Sequence, residues 1–172
     1  EFYFIEVNAR IQVEHPVSEM ISGFDLVQEQ IRIAGGAGLS VAQDAIKLSG
    51  HAIELRINAE DPARDFMPSP GRITRWEPPT GDGIRLDSHM SAGAIIPPFY
   101  DSMIGKLIAH GSDRNDAIAR LVAAIDEFAV EGVPTTLGLQ RAIITHPDFV
   151  ANNIHTRWLE QVVLPEYGKA AA

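Results

Sequence analysis

GHAIELRINAEDP, Gly50–Pro62, alternates without a slip over its first nine residues. Ala52, Glu54, Arg56 and Asn58 share one side of an extended chain, and Ile53, Leu55 and Ile57 share the other. That predicts a strand over 51–59 with one face in a core and one face carrying charge. Downstream, Pro62 to Pro70 reads as a loop, and Gly71–Trp76, Ile84–Asp87 and Ile104–His110 read as further short strands. EPPTGDG, Glu77–Gly83, is a turn cluster. Helices follow. Asp113 is the expected N-cap of a helix over Arg114–Ala129, with Ile118, Leu121, Val122, Ile125 and Phe128 as its apolar stripe. Thr135–Thr145 and His155–Leu164 are the next two, with a frayed tail after Pro165. Strands first and helices after them predict an α+β domain.

Upstream of the strand the pattern differs. Residues 2–7 and 10–13 read as strand, which Pro16 should end. Gly23–Ala34 reads as a helix with Asp25 in its first turn and Gly35-Gly36 at its end. A Gly- and Ser-containing connection over 37–50, with a short helix near Val41–Ile46, marks the best domain boundary. It divides the chain into 1–48 and 49–172.

The bulk composition narrows the function. The 172 residues carry a net charge of −9 with basic residues scattered, which argues against nucleic-acid binding by a basic face. There is no cysteine, so disulfides, thiolate nucleophiles and zinc–cysteine sites are excluded. No apolar run approaches the roughly 20 residues of a membrane helix, and no membrane partner is expected. The histidines lack metal-ligand spacing, and Gly35–Gly38 lacks the Lys-Ser/Thr of a phosphate loop. Trp76 and Trp158 read as packing residues.

The chemistry concentrates in EFYFIEVNARIQVEHPV, Glu1–Val17. On a regular strand Glu6, Asn8, Arg10, Gln12 and Glu14 project together. An edge strand also carries charge, to resist aggregation. This face, however, has no Lys and is made of residues suited to bidentate or metal contacts. Glu and Asn oxygens are hard donors for Mg²⁺, which takes one or two protein carboxylates together with substrate phosphates. An Arg fork holds a carboxylate, bicarbonate or phosphate. A second Glu beyond it serves as a general base if its pKa is tuned.

FIEVNARI (Phe4–Ile11) resembles the metal-binding strand of ATP-grasp ligases, and RIQVEHPV (Arg10–Val17) resembles biotin carboxylase in particular. Gly50–Pro62, PSPGRIT (Pro68–Thr74), PPFYDSMIGKLIAHG (Pro97–Gly111), VEGVPTTLGL (Val130–Leu139) and NIHTRWLE (Asn153–Glu160) resemble the same family in the same order. The resemblance implies the C-terminal end of an ATP-grasp fold over 1–48, followed by the family's C-terminal domain. It implies ATP-dependent carboxylation of biotin by bicarbonate through carboxyphosphate, with Mg²⁺ or Mn²⁺. Glu6 and Asn8 would serve the metal. Arg10, Gln12 and the Val13 backbone would hold bicarbonate, Glu14 would remove its proton, and Arg56 would stabilise the biotin enolate oxygen.

Competing accounts pair Glu14 with Arg10, and Arg56 with Glu54 or Glu60. Asp101 would either orient an arginine or cap a turn. The family's N-terminal domain, lid and phosphate-binding lysines have no counterpart here, so the chain is expected to be an inactive C-terminal portion. It has no Met-Lys-Met-type motif, so biotin would arrive on a separate carrier domain. A carboxyltransferase, a homodimer in the full enzyme, an acyl-CoA acceptor and a cytoplasmic setting complete the expectation. The alternatives are another ATP-grasp ligase, such as carbamoyl-phosphate synthetase, or a non-catalytic assembly module using Arg85 and the TGDG turn.

Overall fold

The computed structural model describes residues 2–170. Residues 2–9 form neither helix nor strand, and Phe2, Tyr3, Phe4, Ile5 and Val7 are exposed. The strand predicted over 2–7 and 10–13 is therefore absent. An extended segment becomes a strand only when a neighbour takes its N–H and C=O groups, and none of the described strands pairs with it. Pro16 does not end a strand but opens a helix, α1 (His15–Ser22), where its missing N–H costs nothing. Gly23 closes α1 at φ 76°. The single helix expected over 23–34 thus begins only at α2 (Leu26–Ala34). Asp25 is its N-cap, accepting the Gln28 N–H at 2.7 Å. The short helix expected near 41–46 is one 3₁₀ turn, Gln43–Ala45.

Then comes β1 (His51–Asn58), close to its predicted span. β2 (Glu60–Asp61) pairs with β3 (Met67–Pro68), which falls within the loop expected over 62–70. The strand expected over 71–76 is divided into β4 (Gly71–Arg72) and β5 (Arg75–Glu77). β6 (Ile84–Asp87), β7 (Ile95–Ile96) and β8 (Met103–Gly111) follow. α3 (Arg114–Glu127) starts at Asp113, whose carboxylate accepts the Asp116 N–H at 2.9 Å. Its predicted last residue, Ala129, instead opens β9 (Ala129–Glu131), which pairs with β5. α4 (Leu137–Thr145) and α5 (Pro147–Val150) lead to a π-helical stretch, Leu159–Val163. That stretch runs into α6 (Leu164–Ala170), where a frayed tail was expected.

β1, β8 and β6 form an antiparallel sheet in that order. On its apolar face Ile57, Leu107 and Ala109 pack with Leu121, Ala124 and Ile125 of α3 and with Phe128. Trp76 meets Phe128 edge-to-face at 4.9 Å, and Trp158 joins Leu139 and Val163 in a second cluster. Leu121 is fully buried. Leu121→Ala is expected to cost about 2–5 kcal/mol, read as a lowered denaturant midpoint at unchanged slope. The opposite face of the sheet is polar. The register sets Arg56 across from Lys106, Lys106 across from Asp87, and Glu54 across from Ile108. Helix α1 lies over this face.

Candidate active site on the polar face of the sheet

β1 is an edge strand, and its open edge near Arg56 is closed by the start of α4. Thr136 N–H donates to the Asn58 carbonyl at 3.0 Å, and Asn58 N–H donates to Thr136 Oγ1 at 3.1 Å. Gln140 Nε2 donates to the Arg56 carbonyl. The backbone that carries Arg56 is thereby held along its open edge by three hydrogen bonds.

Glu14 reaches the same place from the other direction. The chain turns at Gln12–Glu14, and Glu14 stands immediately before α1. Arg56 Nη2 lies 2.9 Å from Glu14 Oε2. Of the competing pairings read from the sequence, none forms. Arg10 Nη1 donates instead to the Ile11 carbonyl at 3.1 Å, and Glu60 accepts from Asn58 Nδ2 at 2.9 Å and from Ser102. Glu54 has no hydrogen-bond partner among the described residues. Glu54 and Glu60, the two carboxyls of the 51–60 stretch that could have held Arg56 locally, thus leave it to Glu14.

Glu14 is held below the usual carboxylate range, first by its own backbone amide. Partial desolvation acts against this, and the Arg56 hydrogen bond and the charges of Arg56 and Arg10 act with it. Arg10 is therefore near enough to be felt without bonding to Glu14.

Under the turn, Lys106 Nζ donates to the Val13 carbonyl at 3.2 Å and lies 3.5 Å from Asp87. His15 Nδ1 lies 2.8 Å from the Gln12 carbonyl and helps hold the turn. Glu19, buried in α1, accepts from Arg85 at 2.7 Å and from the Leu26 N–H at 2.8 Å. Arg85 also grips Asp87 with two bonds of 2.8 Å each. This network fastens α1, and with it Gln12–Glu14, to β6 and β8. It also commits the Arg85 guanidinium within the chain, and Arg120 engages Asp82 of the TGDG turn at 3.1 Å.

Burial pushes Asp87 up, but Arg85 and Lys106 outweigh it and hold the carboxyl below its ordinary value. A folded-state value below the unfolded one stabilises above the ordinary carboxylate value, and that contribution is lost over the range from that value down through the lowered one. Amide-exchange protection of α1 should therefore fall on acidification through that range, and Asp87→Asn should flatten the dependence.

Glu6 and Asn8 stay on the exposed 2–9 stretch. The described residues contain no cluster of three or more His, Asp or Glu side chains able to hold a metal by themselves. Two hard oxygen donors are nevertheless a donor set that fits Mg²⁺ shared with substrate phosphates. Asp101 caps a turn, accepting the Met103 N–H at 2.7 Å. Lys106, Thr136, Gln140, Glu19 and Asp87 were not singled out from the sequence, and Arg85 was read only as a residue of an assembly surface. Lys106 left one signal, a single charge within the apolar MIGKLIAHG strand.

Residues 54–161 match the description of the biotin carboxylase C-terminal domain. The chain belongs to that family. Residues 1–42 match the ATP-binding domain of the carbamoyl-phosphate synthase L chain. A biotin carboxylase of Nostoc sp. is 53% identical over 94% of this chain and 36% of its own length. The biotin-dependent acyl-coenzyme A carboxylase alpha3 subunit of Mycobacterium leprae is 49% identical over 91% of this chain and 27% of its own. The biotin carboxylase domain of 2-oxoglutarate carboxylase from Hydrogenobacter thermophilus superposes with a TM-score of 0.89 at 47% identity. That structure, solved with MgADP and bicarbonate, covers 92% of this chain and 35% of its own. The chain thus spans about a third of the length of the relatives it matches. The α+β architecture agrees with the family's fold. No helix among the described residues is long and apolar enough to cross a membrane.

Proposed function

We propose that, within a longer protein, this chain supplies the bicarbonate-activating and biotin-orienting side of an ATP-dependent biotin carboxylase. The observation that carries the reading is the Glu14–Arg56 pair. Two polar residues 42 positions apart meet at 2.9 Å on one rim, beside a backbone turn fixed by Lys106.

Each side chain then has a task its chemistry suits. Arg10, exposed and not ion-paired among the described residues, clamps the bicarbonate anion. Gln12 and the Val13 N–H hydrogen-bond it. Glu14, ionised beside Arg56, accepts the bicarbonate proton as that oxygen attacks the γ-phosphorus of ATP and ADP leaves, giving carboxyphosphate. Arg56 faces the biotin ureido oxygen, where negative charge develops when the ring nitrogen is deprotonated. Glu6 and Asn8 would hold Mg²⁺ or Mn²⁺, which would offset the phosphate charge of ATP, the source of the phosphoryl group that activates bicarbonate.

We place the division between the ATP-grasp end and the C-terminal domain at residue 48. The gap between the two family matches, at 42 and 54, supports it. Biotin arrives on a carrier domain, and a carboxyltransferase completes the reaction in a dimeric cytoplasmic enzyme. An acyl-CoA acceptor is supported by the Mycobacterium leprae relative and by Pro16 in VEHPV; comparing acetyl-CoA, propionyl-CoA and pyruvate as acceptors tests it. The chain alone should hydrolyse no ATP with free biotin and bicarbonate.

Arg10→Ala in the longer protein tests the anion clamp. The KM for bicarbonate should rise while the KM for ATP and the melting temperature stay unchanged. An unaltered bicarbonate KM would remove Arg10 from the site.

A further inference from the structure

A general base that works beside a cation changes that cation's surroundings each time it takes a proton. Once Glu14 is protonated, Arg56 loses the only side-chain anion bonded to it among the described residues. Its side chain is 55% exposed, and little else steadies the guanidinium.

Glu54 stands two residues earlier on the same face of β1. Both of its carboxyl oxygens are buried, and neither has a hydrogen-bond partner among the described residues. An unpaired buried carboxyl is costly and uncommon. Its surroundings offset part of that cost. The charges of Lys106 on β8, Arg56 on β1 and His15 on α1 favour its ionised form, with Glu14 as the one like charge. Burial pushes its pKa up most strongly, and the three bases pull against burial. Lys106 is already committed to Val13 and Asp87. Arg56 is the base placed to change partners.

We propose that Glu54 is a positioning residue for Arg56, a second anion beneath the rim that takes over the guanidinium when Glu14 is protonated. Arg56 then stays aimed at its target through the proton transfer instead of drifting into solvent. The inference rests on reading Glu14 as the base and Arg56 as the oxyanion partner.

Side-chain ¹⁵N NMR of this chain reads it directly, with Glu14→Gln standing for the protonated base. Arg56 Nε–H exchange with solvent should change little in Glu14→Gln and be at least about fivefold faster in Glu14→Gln/Glu54→Gln, a coupling of the size found between contacting residues. Equal exchange in the single and double variants overturns the proposal. If the Glu54→Gln chains fail to fold, the Glu54 carboxyl carbon is titrated in the unsubstituted chain and in Arg56→Ala. Loss of Arg56 should raise the midpoint, and an unmoved midpoint overturns the proposal.

In the longer protein Glu54→Gln should lower kcat without changing the KM for bicarbonate, and should shift the acid limb of the pH profile. Normal turnover in Glu14→Gln and Arg56→Ala would instead sink the underlying site reading, whatever Arg56 exchange shows. Loss of turnover in those two, with neither the profile nor the exchange altered by Glu54→Gln, would sink the Glu54 assignment alone.

Discussion

Glu14→Gln in the longer protein should lower bicarbonate-dependent biotin carboxylation by about 100- to 10 000-fold, the range a positioned general base contributes. Gln has the same shape and keeps an oxygen that accepts from Arg56. The turn at Gln12–Glu14 is fixed by Lys106 and by His15, not by the Glu14 carboxylate. What the substitution removes is the negative charge and the capacity to take a proton. The fold should therefore survive, with circular dichroism and melting temperature unchanged. The unsubstituted enzyme carries a sign as well. Because Glu14 is held below the usual range, it stays ionised to lower pH than an isolated glutamate. The acid limb of the bicarbonate-dependent rate in the free enzyme should lie correspondingly low. A limb at or above the ordinary glutamate value would assign the base to another residue.

Arg56→Ala should lower biotin carboxylation by about 100- to 1000-fold, as for removal of one preorganised donor from an oxyanion site. The arginine backbone is held by Thr136 and Gln140 whatever the side chain, so β1 stays in place. The side chain is exposed, and its loss leaves no cavity in the core. Arg56→Lys should recover part of the rate, since an ammonium supplies the charge without the planar fork. Bicarbonate-dependent ATP cleavage without biotin should suffer less than biotin carboxylation, because Arg56 is assigned to biotin and Glu14 to bicarbonate. Equal losses in the two assays would place Arg56 in the bicarbonate step instead.

The parts of the fold that were legible in the sequence are those whose signal is local. β1 announces itself by alternation, and α3 by a stripe and a capping Asp113. Both hold within a residue or two at their ends. The misread stretch, 2–13, has the same alternation as β1, yet alternation reports which residues want burial and does not supply a neighbour to pair with. Pro16 was ambiguous by nature, since proline stops a strand and starts a helix equally well. The β2–β3 and β5–β9 pairs are two or three residues long, and the second joins distant segments; both are too short for any period to register. The π-helical stretch breaks the 3.6-residue period on which helix reading depends.

The site divides the same way. Arg10, Gln12 and Glu14 could be singled out because their residue types are unusual on a strand face, and Arg56 through the family resemblance of Gly50–Pro62. Lys106 could not, because its relevance comes from the register that sets it opposite Arg56. Thr136 and Gln140 act through backbone groups of a strand some 80 residues away. Glu54 looked like a partner for Arg56, and only the geometry shows that its oxygens are unpaired while Glu14 holds the arginine.

The account turns on Glu14 and Arg56 working as one unit. A double-mutant cycle on biotin carboxylation in the longer protein tests that most directly. Residues that act together lose far less in combination than the product of their separate losses. Glu14→Gln/Arg56→Ala is predicted to be scarcely slower than the more damaging single variant, with all three proteins folded. Losses that multiply in full would show two independent residues and contradict the account.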